Sequence, residues 1–473
     1  MNYRNLVEGF FSFSIGKWLG AILGFVSTLI LTRILTPDQL GKASMFLLVS
    51  NILLIFIRFG TDQAFVRFFY EEQKENRNKL LFNIIKIPLA LFFLSSIFII
   101  LFKNKLSLFL FEEKKSILIL ILVITIFVNL IKSYSFLVIR MQQKGYKYSV
   151  LNFLEKLAYL LLLLLLVNII GNEYEIPIYS HVIAGIIVVI LSVYFGKNIW
   201  NFTNFKSIRL KNSMKDIFYY SYPLLFTTLI TWLFESFDKI ALKQWSTFEE
   251  LGLYAAAFKI VALLNILKTS FTSFWVPTSL DKYKKDPDDK KFFSNIYKVI
   301  FLLMYLVGLM LIAFKDIIIF LLGSEYREAV MIMPFLVFMP IMYTISETTV
   351  IGISFKKKPK WHILIAIVSC LINILGNYLL VPKIGAKGAA ISTGVSYILF
   401  FYLRTLISLK LYKVDYTLGK TTLLLIILVF YAIYSTFVSY SFMNSIIAVL
   451  ILIFVLIFNF SFIKKVICKI ISG

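Results

Sequence analysis

The sequence predicts an all-α polytopic membrane protein of about 14 transmembrane helices, each formed by an apolar run of bilayer length. They are arranged as two pseudo-symmetric six-helix lobes around a central cavity, followed by two C-terminal helices. Three observations carry this reading. Of 473 residues, 60% are hydrophobic and only 16% are charged, and the mean hydropathy is +0.86; soluble domains carry roughly 45–50% apolar residues. Apolar runs of about 20 residues, each long enough to cross a bilayer as a helix, recur from end to end. A short motif also repeats at a distance of six spans.

Hydropathy places the spans near 9–32, 43–66, 80–102, 117–139, 149–170, 178–199, 217–243, 253–277, 296–321, 329–354, 361–381, 388–409, 421–439 and 443–463. Connections are short, and no soluble domain fits between them. The expected division is an N-terminal lobe over 1–200, a C-terminal lobe over 201–415 and a helix pair over 416–473. The first apolar run is long and lacks a small-residue cleavage motif, so it is expected to remain as a helix.

The formal net charge is +24. In a soluble chain that would suggest nucleic acid. Here the basic residues lie between apolar runs, and cytoplasmic loops collect Lys and Arg, so no nucleic-acid partner is expected. The basic segments "EEQKENRNK" (71–79), "RMQQKGYK" (140–147), "DKYKKDPDDKK" (281–291) and "KKKPK" (356–360) fall on alternate connections. Both termini are therefore expected in the cytoplasm. The connection after the third span breaks the pattern: Lys103, Lys105, Lys114 and Lys115 fall outside, offset in part by Glu112 and Glu113.

The repeat pairs "RILTPDQLG" (33–41) with "QWSTFEELG" (244–252). At an offset of 211 residues Thr36 matches Thr247, Asp38 matches Glu249, Leu40 matches Leu251 and Gly41 matches Gly252 (36 + 211 = 247). Both stretches are outer turns between two spans. An offset of six spans preserves orientation, so the repeats are parallel, as in transporters built from two halves, with the substrate site between the lobes.

Ionisable groups at membrane depth are costly and usually face a bundle interior or an aqueous cavity. Lys17 lies roughly 12 Å into the first span at 1.5 Å per residue. Arg58 lies roughly 25 Å below the outer turn at Gly41, and Lys268 is at similar depth below Gly252. Lys86, Lys132 and Lys259 add further cations, and Lys156 follows Glu155. Among acids, Asp62 lies one helical turn beyond Arg58 and could pair with it. Arg67 falls on the opposite helix face, beside Phe68, Phe69 and Tyr70, where an anchoring role at the membrane surface is expected. Glu235, Asp238 and Lys239 share a face by spacing. They read either as an internally compensated ion pair or as a proton- or cation-responsive acid; Glu347 is a further acid of this kind. Cations exceed acids, so the cavity is expected to bind anions, and phosphate-type groups pair well with Arg and Lys.

The isolated His181 and His362 read as helix-end residues. Cys370 and Cys468 offer neither a disulfide framework nor metal spacing. No nucleotide-binding G-x-x-x-x-G-K-[ST] stretch occurs, and no catalytic constellation stands out. An enzyme is not expected, and no metal or cofactor is implied.

"FGTDQAFVRFFYEE" (59–72), "LTPDQLGKASM" (35–45), "FDKIALKQW" (237–245) with "ELGLYAAAFKI" (250–260), and "VPKIGAKGAAISTG" (381–394) resemble the pattern of Wzx-type O-antigen and polysaccharide flippases. The last stretch is also similar to the wider superfamily of MATE exporters and the lipid II flippase. The resemblance implies flipping of an undecaprenyl-pyrophosphate-linked oligosaccharide from the inner to the outer leaflet by alternating access. In it the last two helices help form a groove for the lipid tail. Its implied partners are the lipid-linked oligosaccharide, membrane lipid, a coupling ion (proton or sodium) and polysaccharide-assembly proteins. Two alternatives differ in signature. A MATE-like exporter of small cations would show acids dominating the cavity. A membrane polymerase or ligase would carry a long outer loop.

Overall fold

The computed structural model describes the backbone of residues 3–202, 210–438, 442–462 and 464, with side chains from Trp18 onward. The described residues are helical, with no strand among them. Among them ten helices are long and apolar enough to cross a membrane, or eleven if the bent pair Ser324–Met331 and Met333–Thr349 is one span. The chain is a multi-pass membrane protein. It divides into two compact units, Met1–Lys239 and Ile240–Gly473.

The first unit contains α1 (Tyr3–Ile34), α2 (Pro37–Arg58), α3 (Thr61–Phe68), α4 (Arg77–Leu101), α5 (Lys103–Phe111), α6 (Ser116–Met141), α7 (Gly145–Ile170), α8 (Glu175–Phe195), α9 (Lys197–Trp200) and most of α10 (Met214–Trp245). Helix α1 lies along α7, and α8 packs on both α6 and α7. Leu31, Leu35, Leu163 and Ile176 form one buried cluster; Ile139, Leu151 and Val188 form another. On α4, Phe93, Leu94, Ile97, Phe98 and Leu101 are exposed. Their spacing makes one apolar stripe of a helix, and a stripe of this kind suits contact with lipid.

The second unit contains α11 (Phe248–Val261), α12 (Asn265–Lys285), α13 (Lys290–Ala313), α14 (Lys315–Phe320), α15 (Met333–Leu336), α16 (Phe338–Thr349), α17 (Ile351–Phe355), α18 (Lys360–Leu411), α19 (Leu418–Phe437) and α20 (Phe442–Phe458). Helix α18 has 52 residues but is broken at Ile384 and Gly385 (φ 53°). At 1.5 Å per residue its two arms together span roughly 78 Å, more than twice the hydrocarbon thickness of about 30 Å. It is long enough for two crossings, and its break falls between the hydropathy spans 361–381 and 388–409.

The repeat is present in atomic detail. Thr36 caps α2 by accepting a hydrogen bond from the Gln39 N–H, and Thr247 caps α11 by accepting one from the Glu250 N–H. Threonine suits this position because its hydroxyl satisfies an otherwise unpaired N–H of the first turn. Leu40 and Leu251 are both fully buried behind their caps. Inside the repeat, Gln39 and Glu250 occupy matching positions (39 + 211 = 250) and play matching structural parts. Gln39 Nε2 donates to the Asn172 carbonyl at 2.9 Å, just before α8. Glu250 Oε2 accepts from the Ala386 N–H at 2.7 Å, at the start of the second arm of α18. In each unit the first turn of the helix that follows the repeat's Thr cap is thus tied to a later interhelix turn, before α8 in one and at the break of α18 in the other.

One expectation needs correction. The span predicted over 43–66 is not one helix. Phe59 (φ 54°) and Gly60 (φ 73°) adopt left-handed backbone and separate α2 from α3. Glycine tolerates this at little cost, and here it is also sterically required. A Cβ on Gly60 would lie 2.5 Å from the Ser221 carbonyl oxygen on α10.

Candidate functional site: buried cations in each unit

In the first unit, Arg58 ends α2 and Asp62 lies in the first turn of α3. Their Nη1–Oδ2 distance is 3.7 Å, and both side chains are partly buried. The pairing follows the expectation, but its geometry does not come from helical periodicity, because the break at Phe59–Gly60 lies between them. At 3.7 Å the contact is an ion pair without a good hydrogen bond. Arg58 Nε is buried with no hydrogen-bond partner among the described residues. Thr61, between them, accepts or donates at 2.6 Å to the buried Tyr134 hydroxyl on α6.

The rest of this stretch is a junction. Glu72, almost fully buried, accepts from the Lys211 N–H at 2.8 Å and the Asn212 N–H at 3.3 Å. That fixes the segment entering α10. Arg77 donates through Nε to the Phe69 carbonyl and stacks on the Phe69 ring at 4.2 Å. Phe68 and Phe69 are buried, whereas Tyr70 is exposed and Arg67 pairs with Glu71 at 2.8 Å. Of the anchoring group expected at Arg67, Phe68 and Phe69 therefore serve packing.

Lys132 on α6 pairs with Glu155 on α7 at 2.9 Å. Lys156 and His181 on α8 interact electrostatically with this pair, so His181 is part of a polar cluster rather than an isolated helix-end residue. Lys86 is exposed and lies 4.4 Å from the Phe82 ring centroid. On α10, Asp238 is buried, Lys239 is half-buried and interacts with it, and Glu235 is exposed. Equal spacing did not give these three equal environments. The Lys17 side chain lies outside the described residues, as does Cys468; Cys370 is a buried free thiol.

The second unit concentrates its charge around Tyr343 on α16. Lys268 Nζ of α12 lies 3.6 Å from the Tyr343 ring centroid, and the Arg404 guanidinium lies 5.3 Å from the same ring. Such contacts stabilise a desolvated cation without neutralising it. Arg404, on the second arm of α18, pairs with Glu347 at 2.8 Å and donates to Ser346 Oγ at 2.6 Å. Trp275 on α12 donates its indole N–H to the Glu347 carbonyl at 3.0 Å. His362 interacts with both Arg404 and Glu347. Lys259, at the end of α11, is half-buried. Glu347 is thus tied to a fixed cation, and that partner, Arg404, was not singled out from sequence. An arginine well inside the span 388–409 was the available signal.

Ion pairs also account for the basic connection between α5 and α6. Glu113 receives Lys42 at 2.6 Å and Lys115 at 3.5 Å, while Lys115 also pairs with Glu175 at 2.6 Å. The Tyr174 hydroxyl donates to Glu113 at 3.1 Å. Lys115 is therefore neutralised locally and says little about the side of the membrane.

The model of the family described as "Polysaccharide biosynthesis protein" matches residues 6–281, which is 276 of 473 (281 − 6 + 1 = 276). The chain belongs to this family. A relative, the capsular polysaccharide biosynthesis protein CapF of Staphylococcus aureus, is 22% identical over 410 residues, covering 83% of this chain and 96% of CapF. The fold is that of the lipid II flippase MurJ in its inward closed conformation, with TM-score 0.71, 18% identity, and coverage of 95% of this chain and 99% of that one. An inward-facing multidrug MATE transporter of the MOP superfamily shares it at TM-score 0.59 and 13% identity, over 86% and 96% of the two chains. In family terms, "FGTDQAFVRFFYEE" is the broken end of a long helix with its bracing contacts. "VPKIGAKGAAISTG" is the broken turn of α18 that Glu250 caps.

Proposed function

We propose that the chain is a flippase of surface-polysaccharide biosynthesis. It moves undecaprenyl-pyrophosphate-linked oligosaccharide units from the inner to the outer leaflet of the cytoplasmic membrane by alternating access. The observation that carries this reading is Arg58: a guanidinium at the end of the long apolar helix α2 whose carboxylate contact, to Asp62, is long and whose Nε is buried with no acceptor among the described residues. A buried donor left without an acceptor is costly, and a phosphate oxygen would satisfy it with a charge-assisted bond. Lys268, whose ammonium lies against the Tyr343 ring, is assigned to the same class of ligand. Lys17, Lys86 and Lys259 are assigned to the same path. Lys132 is assigned a supporting role, since Glu155 already neutralises it. Family membership supports polysaccharide precursors as the cargo, and CapF, named for capsule synthesis, supports a surface polymer.

The functional division proposed is 1–200 and 201–415, with 416–473 as the pair that accommodates the lipid tail. Asp62 positions Arg58. Asp238, buried beside Lys239, is assigned the coupling of a proton or sodium ion, with Glu235 at its edge.

The test is deletion of the gene followed by locating the lipid-linked oligosaccharide. Accumulation in the inner leaflet is expected. Accumulation of single units in the outer leaflet would instead indicate a polymerase or ligase.

A further inference from the structure

A second cationic site lies in the second unit, and neither Lys268 nor Arg404 lines it. A cavity of about 220 Å³ opens between the N-terminal part of α13, the first turn of α19 and the end of α20. Its polar lining includes Lys298, Thr417, Lys420, Thr421, Asn459 and Ser461, and no acidic residue among the described residues lines it. Tyr297 and Thr421 bond each other at 2.7 Å, which fixes one wall. Lys420 Nζ lies 5.3 Å from the Phe458 ring centroid, so an aromatic face holds it in place and leaves its charge intact. Lys298 is half-buried and forms no ion pair among the described residues. The nearest carboxylate along the chain, Asp415, accepts from the Thr417 N–H at 2.9 Å. Two cations and several hydroxyl or amide groups around one small space form an anion receptor.

Size and surroundings narrow the ligand. Ligand pockets for drug-sized molecules run from about 300 Å³ upward, so this cavity holds one headgroup and not an oligosaccharide. Beside it, Ile457 and Phe460 are exposed, as are Leu423 and Ile426 on α19. An occupant with its anion in the cavity would have apolar surface for acyl chains directly adjoining. The same end of the unit carries the basic segments 281–291 and 356–360, the pattern expected of the cytoplasmic surface. Lysines there attract the anionic headgroups of the inner leaflet.

From this arrangement we infer that the cavity between α13, α19 and α20 is a binding site for the phosphate of an anionic phospholipid, with Lys298 and Lys420 as its cations. Its cations are not those assigned to the cargo, although α19 and α20 also belong to the pair proposed to take the cargo's lipid tail.

The experiment titrates the purified full chain in detergent with dihexanoyl-phosphatidylglycerol, dihexanoyl-phosphatidylcholine and inorganic phosphate, and follows its thermal unfolding. Stabilisation by phosphatidylglycerol is expected, with little effect of phosphatidylcholine. The double variant Lys298→Ala/Lys420→Ala should weaken phosphatidylglycerol binding by about tenfold or more, since each lysine contributes attraction to the headgroup. The double variant Lys298→Arg/Lys420→Arg should retain it. Asn459→Asp, which adds a carboxylate to the cavity, should weaken it even if the alanine variant fails to fold. Unchanged phosphatidylglycerol binding in both the alanine variant and Asn459→Asp would overturn the assignment, as would equal effects of the two lipids. Inorganic phosphate binding as tightly as phosphatidylglycerol would show a free-anion site and overturn the lipid assignment.

Discussion

Glu347 and Arg404 form an ion pair at 2.8 Å with side-chain exposures of 8% and 7%. Removing one partner of a buried pair leaves an uncompensated charge, a loss of roughly 3–5 kcal/mol, whereas replacing both by apolar residues is often neutral. Glu347→Ala should therefore lower the thermal midpoint in detergent sharply. Glu347→Leu with Arg404→Met should recover most of that loss. Equal destabilisation by the single and double variants would show that the pair contributes through something other than its charges.

The paired contacts of the repeat give a graded expectation. Glu250 offers Ala386 a charged acceptor, and Gln39 offers Asn172 a neutral donor. Charge-assisted bonds are worth roughly 1.5–3 kcal/mol and neutral ones about 1. Glu250→Ala should destabilise more than Gln39→Ala in side-by-side melting. The reverse order would mean that the two turns are not equivalent in energy.

Gly60→Ala should be among the most damaging small substitutions. The new Cβ would approach the Ser221 carbonyl oxygen to 2.5 Å, and φ is 73°. Strained left-handed backbone alone costs roughly 1–3 kcal/mol. Reduced folded protein in membranes at normal transcript level is the expected result; wild-type levels and melting would show that α10 can move away.

Acid should loosen the Glu113 cluster. Partial burial opposes ionisation of Glu113, but its hydrogen bond and Coulomb attraction to Lys42 outweigh this, and Tyr174 and Lys115 add to them. Its carboxyl is held below the ordinary value of 4.5. A depressed folded-state pKa contributes stability that is complete above that ordinary value and is lost as pH falls through the lower folded value. Melting scans from about pH 6 to about pH 3 should show a smaller pH-dependent drop for Glu113→Gln than for wild type. Superimposable profiles would rule this contribution out.

These contacts show what was legible in the sequence and what was not. The all-helical membrane fold followed from hydropathy, because apolar run length is a strong one-dimensional signal; of the fourteen expected spans, ten or eleven stand as long apolar helices among the described residues. The repeat followed from Thr36 and Thr247, because a helix cap demands particular residue types at fixed spacing. The break at Phe59–Gly60 was missed because apolar residues resume at Ala64, Phe65 and Val66; Gly60 and the polar residues Arg58, Thr61, Asp62 and Gln63 were the local cues. Partners were harder still. Lys132 with Glu155, and Glu347 with Arg404, are 23 and 57 residues apart (155 − 132; 404 − 347), and only helix packing brings them together. Depth along a helix can be counted from sequence, but rotation toward a neighbour cannot. That is why Glu235 and Asp238 differ in burial despite their spacing.

The central claim is that Arg58 and Lys268 bind the anionic part of a lipid-linked oligosaccharide during flipping. The most direct measurement is the leaflet distribution of that precursor, with surface polysaccharide, in cells carrying Arg58→Ala and Lys268→Ala together at wild-type membrane levels. Each charge-assisted contact is worth roughly 1.5–3 kcal/mol, so transport should fall by about tenfold or more. The precursor should accumulate in the inner leaflet. Normal surface polysaccharide with a wild-type leaflet distribution in the double variant would contradict the account.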